Sequence, residues 1–163
     1  MRIRNQRSHS ELLRFITDQN LAKLSKWLRL AGYDTICHQG KTDRGLWDRA
    51  LKENRLVLTR KKNLLDYPKQ LTTIQVPETD VQEQLAHLAS LLDLGSTEEC
   101  CLKRCTVCNS RLEQVDPETV KDRVPPYVAE THGRFERCPG CGKIYWQGSH
   151  TERIRKALRK RTP

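Results

Sequence analysis

The stretch RLVLTRKKNLL, residues 55–65, decides the fold. Leu56, Val57 and Leu58 form a short apolar run with a β-branched centre, which reads as a buried strand. The run then breaks into Arg60, Lys61 and Lys62. In an open α/β sheet, ligands bind just past the carboxyl ends of the strands. A strand here would therefore place three cations at the mouth of a site.

The same pattern extends on both sides. RFIT (14–17) reads as a strand ending at Asp18, and LAKLSKWLRLAG (21–32) as a helix with Leu21, Leu24, Leu28 and Ala31 on one face and Gly32 as its stop. YDTICH (33–38) reads as a second strand, with Cys37 as a small core residue. DRGLWDRALKEN (43–54) reads as a helix capped by Asp43. TTIQVP (72–77) is a fourth strand, and DVQEQLAHLASLLDLG (80–95) a helix between Asp80 and Gly95. Strands alternating with helices predict a small parallel sheet with right-handed crossovers, ending near residue 95. Residues 1–13 form a basic extension and GSTEE (95–99) a linker.

The remainder differs in kind. Residues 100–150 hold six of the seven cysteines and an adjacent proline pair, Pro125 and Pro126, that rules out a long helix there. CTVC (105–108) and CPGC (138–141) are two C-x-x-C knuckles, which suit four thiolates around Zn²⁺: Cys105, Cys108, Cys138 and Cys141. The 29 residues between them exceed the roughly 15–20 of the simplest ribbon, so an excursion is expected. A pair of disulfides is the alternative; the knuckles and the absence of a secretory signal favour a closed, structural zinc site. Cys100 and Cys101 suit either a redox pair or simple packing.

KIYWQGSH (143–150) follows the second knuckle. Tyr145 and Trp146 suit base stacking, with His150 as a polar partner, and equally suit covering a small zinc core. The net charge of +10 points to a polyanion, nucleic acid first. Residues 1–99 carry 16 Lys/Arg against 13 Asp/Glu, and residues 100–163 carry 14 against 7. Much of the excess lies in the tail, residues 151–163, with Arg153, Arg155, Lys156, Arg159, Lys160 and Arg161 around a helical stripe of Ile154, Ala157 and Leu158. No run approaches the roughly eighteen apolar residues of a membrane span, so no membrane partner is expected. MRIRNQRSHSELL lacks an apolar signal core, which predicts a cytoplasmic location; its basic, acid-poor start also suits an organellar transit peptide.

Asp18 and Asp43 both fall where strand carboxyl ends would gather, a place where carboxylates hold Mg²⁺ or Mn²⁺. Turns and helix caps explain the same two residues. Together, FITDQNLAKLSKWLRLAGYDT, DRGLWDRALKENRLVLTR and the long knuckle segment 105–150 resemble the Mut7-C RNase domain family. The resemblance implies a PIN-like nuclease fold followed by a four-cysteine zinc ribbon. It also implies a site in which acids at the strand ends hold a divalent metal that cuts RNA. By position it places the first acid at Asp18 and the second at Asp43. The third should follow Thr-Arg, and here that place is Lys61. Asn63 and Asp66 lie a little further on and could turn inward in its stead.

Replacing a carboxylate by an ammonium moves the local charge by two units. At about 5 Å and an effective dielectric near 20, each unit opposes a bound cation by about 3 kcal/mol. A lysine there would instead pair with Asp18 or Asp43, or bind phosphate. Three functional readings follow: an RNA-binding or ribonucleoprotein-binding member (ribosome, tRNA or mRNA) that has lost catalysis; an active Mg²⁺/Mn²⁺ endoribonuclease using Asp18 and Asp43; and a protein-only adaptor, which leaves the charge unexplained. The first is favoured. The tail supplies its own test. Deleting residues 153–163 should flatten the salt dependence of RNA binding by about 0.7–0.9 log–log units per cation that contacts phosphate. An unchanged slope would make the tail solvated surface.

Overall fold

The computed structural model describes residues 13–40, 43–63, 67–92, 94, 103–149, 152–153 and 156. Expectations for Asp66, Cys100, Cys101, His150, Arg155, Arg159, Lys160 and Arg161 fall outside these residues.

Four parallel strands form the first sheet: β1 (Arg14–Thr17), β2 (Asp34–Cys37), β3 (Leu56–Thr59) and β4 (Thr73–Gln75), in the order β2-β1-β3-β4. Ile16 lies level with Ile36 on one side and Val57 on the other. Side chains alternate across a strand, and the two faces separate accordingly. Phe15 and Leu58 pack with Leu24 and Leu28 of α1 (Ala22–Leu30) and with Leu85 and Leu88 of α3 (Val81–Leu91). Ile16 and Val57 pack with Leu46 and Ala50 of α2 (Arg44–Lys52). The central strands β1 and β3 are buried on both faces, which is why they read as continuous apolar runs.

The expected punctuation is in place. Asp43 and Asp80 accept hydrogen bonds from the first amides of α2 and α3. Gly32, at φ 98°, follows the last turn of α1, and the Tyr33 amide donates back to the Leu28 carbonyl. Asn54 plays the same part after α2 at φ 49°. The helix read over 21–32 starts as a short 3-10 turn, Gln19–Leu21, with Asp18 as its cap.

The cysteine-rich part carries an antiparallel sheet of β5 (Glu113–Val115), β6 (Phe135–Arg137) and β7 (Ile144–Trp146). The excursion between the knuckles supplies β5, two 3-10 turns and α4 (Pro126–Thr131). Pro125 and Pro126 open that short helix instead of breaking a long one. Val120, Val124, Val128 and Phe135 give the excursion its own apolar core.

The first knuckle docks on the sheet along β2, an edge strand whose outer backbone groups need partners. The Thr35 amide donates to Asn109 Oδ1 at 3.2 Å, and Arg29 Nε donates to the Thr35 carbonyl at 2.7 Å. Arg29 Nη1 also donates to the carbonyls of Thr106 and Val107, at 2.9 and 3.0 Å. Asp34 completes the joint: its Oδ1 accepts from Arg55 Nη1 and Asn109 Nδ2, each at 2.8 Å. Arg104 lies 3.6 Å from its Oδ2.

Burial tends to raise the Asp34 carboxyl pKa, but the hydrogen bonds from Arg55 and Asn109 and the charges of Arg55 and Arg104 outweigh it and hold the group below its usual range. Its stabilisation is therefore complete above the unfolded value of about 3.9 and lost as pH falls through the lower folded value. Asp34→Ala removes one of the two carboxylates that pair with Arg55, whose side chain is only 6% exposed, leaving Glu53, and strips Asn109 and Arg104 of their shared acceptor. It should cost about 2–3 kcal/mol in urea unfolding, because Glu53 still compensates Arg55. The variant should also lose part of the acid sensitivity of the wild type below about pH 4.

Candidate functional site

Asp18 sits at the carboxyl end of β1 and is 3% exposed. Its Oδ1 accepts from the Asn20 amide at 2.9 Å, and its Oδ2 from the Thr59 hydroxyl at 3.2 Å. Thr59 ends β3; its oxygen accepts in turn from the Tyr67 hydroxyl at 3.2 Å and the Lys61 amide at 3.1 Å. The strand ends thus meet at Thr59, a residue type that both donates and accepts. Cys37, read as a core residue, instead lies half-buried at the end of β2 with its thiol 3.7 Å from the Asp18 carbonyl. Its partners are polar because it closes the strand instead of pointing into the sheet's packed middle.

Among the described residues, Asp43 shares no hydrogen bond with this network. It is exposed, caps α2 through the Gly45 amide at 3.0 Å, and has His38 Nε2 4.0 Å away. Lys61 is exposed, and among the described residues its side chain pairs with neither Asp18 nor Asp43. The pairing expected from the sequence is replaced by a backbone contact, because the Lys61 amide turns inward to Thr59. Arg60 is partly buried and 3.5 Å from Glu78; Lys62 is exposed. Among the described residues, no third His, Cys, Asp or Glu ligand atom converges on the Asp18 and Asp43 carboxylates. The described residues, which do not include Asp66, thus supply only two of the three acids that the family resemblance implies for a Mg²⁺ or Mn²⁺ centre.

The four knuckle cysteines do converge. Their sulfurs all lie within 4.8 Å of one another, with Cys108–Cys138 at 3.3 Å and Cys105–Cys141 at 3.5 Å. A tetrahedral site with Zn–S of about 2.3 Å spaces its sulfurs by about 3.8 Å, so the set fits a zinc ion. All four are free thiols. Amides of Val107 and Cys108 point at Cys105 Sγ, and the Cys141 amide at Cys138 Sγ. A Cβ at Gly140 would meet Ser110 Oγ at 3.1 Å and Cys108 Sγ at 3.5 Å, so the knuckles close over a glycine.

Burial opposes ionisation of Cys105, but the Tyr145 hydroxyl and the Cys108 and Val107 amides bring its thiol down to about 6. The Lys143 amide favours the Cys141 thiolate; competition from Cys105 overrides it and pushes Cys141 up to about 12.

Of the two aromatics after the knuckle, Tyr145 is buried. Its hydroxyl lies 3.1 Å from Cys105 Sγ and accepts from the Thr106 amide at 3.0 Å. Trp146 is half-buried against the core of the excursion. Both also line an open groove beside α1, described below. In the tail, Arg153 and Lys156 are exposed. Sequence reasoning missed the joint of Arg29, Asp34 and Asn109, and it missed Thr59 and Tyr67 behind Asp18. Only the Thr-Arg pair ending β3 hinted at Thr59. Among the described residues, no helix is long and apolar enough to cross a membrane.

These features define a class: a parallel α/β domain with a buried carboxylate at its strand ends, joined to a four-cysteine module that can hold a metal ion such as zinc. Within it, the chain belongs to the Mut7-C RNAse domain family, whose model matches residues 13–158. No curated protein matches the chain.

One zinc per chain is expected by elemental analysis, and protein free of zinc would overturn the assignment. Cys138→Ser should release the ion and unfold the module, since such sites carry on the order of 10 kcal/mol of apparent binding free energy. Protons compete with zinc for thiolates, so affinity should fall as pH falls. The fall should steepen below about 6, where Cys105 also takes up its proton. Zinc release followed with a chromogenic chelator between about pH 8 and pH 5 checks the sign.

Proposed function

We propose that this Mut7-C family member binds RNA, alone or within a ribonucleoprotein such as the ribosome, and cuts it poorly or not at all. The observation that carries this reading is the occupant of the third acid position. Lys61 stands there with its side chain in solvent, and both oxygens of the nearby Asp18 carboxylate already accept from Asn20 and Thr59. A carboxylate held in this way is a structural acceptor that ties β1 to β3. Lys61 and Lys62 leave the mouth of the strand ends positive, suited to a phosphate, and Arg60 lies beside them.

The sheet domain (14–95) and the ribbon (100–150) act as two parts of one RNA-binding body. One structural Zn²⁺ on Cys105, Cys108, Cys138 and Cys141 holds the second part together, and the basic tail adds phosphate contacts.

One observation favours the second reading, an active endoribonuclease. A carboxylate that is 3% exposed and anchored by a threonine and tyrosine hydroxyl network is costly to retain without a use.

Lys61→Asp separates the two. If the scaffold lacks one ligand, the reversion should create divalent-ion binding, read by calorimetry, and some Mn²⁺-dependent cleavage of a labelled RNA. Robust cleavage by the wild type that is abolished by Asp18→Asn and indifferent to residue 61 would establish the nuclease reading instead.

A further inference from the structure

Docking of the cysteine module on the sheet leaves a groove of about 700 Å³ between α1 and β7. That volume lies in the range of small-molecule sites and is large enough for a nucleotide. Its walls come from distant parts of the chain: Lys26 and Trp27 from α1, Tyr127 from α4, and Lys143, Trp146 and Gly148 from around β7. Neither Asp nor Glu is among its lining residues. None of the strand-end residues Arg60, Lys61 or Lys62 belongs to it.

Three details give this groove a ligand chemistry. Tyr127 is 65% exposed, the most solvent-exposed large hydrophobic side chain among the described residues. Its backbone is held: Pro125 and Pro126 precede it, and its carbonyl accepts from the Thr131 hydroxyl. An aromatic ring left in solvent on an anchored backbone offers a stacking surface. Next, Gly148 keeps the indole edge of Trp146 open. A Cβ there would lie 3.8 Å from Trp146 Nε1, in contact with the ring but without a clash, so a larger side chain would cover that edge. Finally, Lys143 Nζ lies 5.6 Å from the Tyr145 ring centroid, and Lys26 is exposed on α1. Aromatic faces flanked by cations and free of carboxylates are complementary to unpaired bases joined by phosphates, and far less so to an acid-poor peptide.

We propose that this groove is a second RNA contact that takes unpaired bases of single-stranded RNA. Tyr127 supplies the stacking face, Trp146 its open indole edge with the Nε1 donor, and Lys26 and Lys143 hold the flanking phosphates. The proposal rests on the RNA-binding reading above and adds to it a preference for single strands. Bases in a duplex are stacked on one another and present no free face, so duplex RNA engages only the phosphate-binding surfaces.

The test uses the full-length, zinc-loaded chain and fluorescence anisotropy with a labelled oligo(A) of about 12 nucleotides and an RNA duplex of the same length. Tyr127→Ala should weaken binding of the single strand roughly tenfold and leave the duplex unchanged, while Tyr127→Phe keeps the affinity. Gly148→Leu, which fills the groove, should reproduce the loss. Lys26→Ala and Lys143→Ala should each lower the log–log salt slope for the single strand by about 0.7. Thermal melts of each variant separate loss of binding from loss of fold.

If Tyr127→Ala and Gly148→Leu both bind oligo(A) as the wild type does, the groove is not an RNA contact, although the RNA-binding reading stands. Equal wild-type affinity for duplex and single strand overturns the groove proposal in the same way. A wild type that binds neither RNA overturns both. A protein ligand displaced by Tyr127→Ala while RNA binding is intact would make the groove a protein-docking site and also overturn the proposal.

Discussion

Arg29 and Asp34 hold the two parts of this protein in register. Arg29 leaves α1, satisfies the outer carbonyl of Thr35 and reaches two carbonyls of the first knuckle. Asp34, at the start of the same edge strand, gathers Arg55, Asn109 and Arg104. Charged groups so far from solvent are tolerated only when each finds a partner and the remaining donors are satisfied. Here that condition is met from both sides of the joint. An exposed sheet edge is a template for unwanted pairing. The knuckle closes that edge with side chains, and in doing so it orients the three-stranded sheet against α1. The groove between α1 and β7 follows from that orientation, since neither wall creates it alone.

At the opposite end of the strands the controlling group is a hydroxyl. Thr59 donates to Asp18 and accepts from Tyr67 and from the Lys61 amide, so one oxygen links β1, β3 and the chain beyond β3. With the Asn20 amide, this network gives both oxygens of a buried carboxylate a hydrogen-bond donor. At residue 61 the contact is made by the backbone, and the side chain is exposed. A carboxylate at residue 61 would have the same backbone partner available.

The cysteine module solves a different problem. A sheet of three short strands buries too little apolar surface to order itself, and small modules of this kind depend on a metal or a disulfide. The excursion between the knuckles adds its own apolar cluster around Val128 and Phe135, and Trp146 packs at its edge. Tyr145 belongs to the thiolate cluster through its hydroxyl, and Trp146 to the excursion core and the groove. The two neighbouring aromatics therefore have different duties, set by the alternation of side chains along β7.

Much of this was legible in the sequence where the physics is local. Asp43 and Asp80 as caps, Gly32 after α1, the apolar runs of β1 and β3, and the paired C-x-x-C knuckles depend on residues a few positions apart. Backbone geometry and side-chain period settle them at that range. What only the tertiary structure decided involves residues 75 to 78 positions apart, such as Arg29 with Thr106 and Val107, and Asp34 with Asn109. The placing of Cys37 beside Asp18, the solvent-facing Lys61 side chain and the exposed Tyr127 ring across from α1 are of the same kind. No periodicity or spacing rule encodes these, because each depends on how two separately folded surfaces meet, and that is fixed by packing and by the need to pair every buried charge.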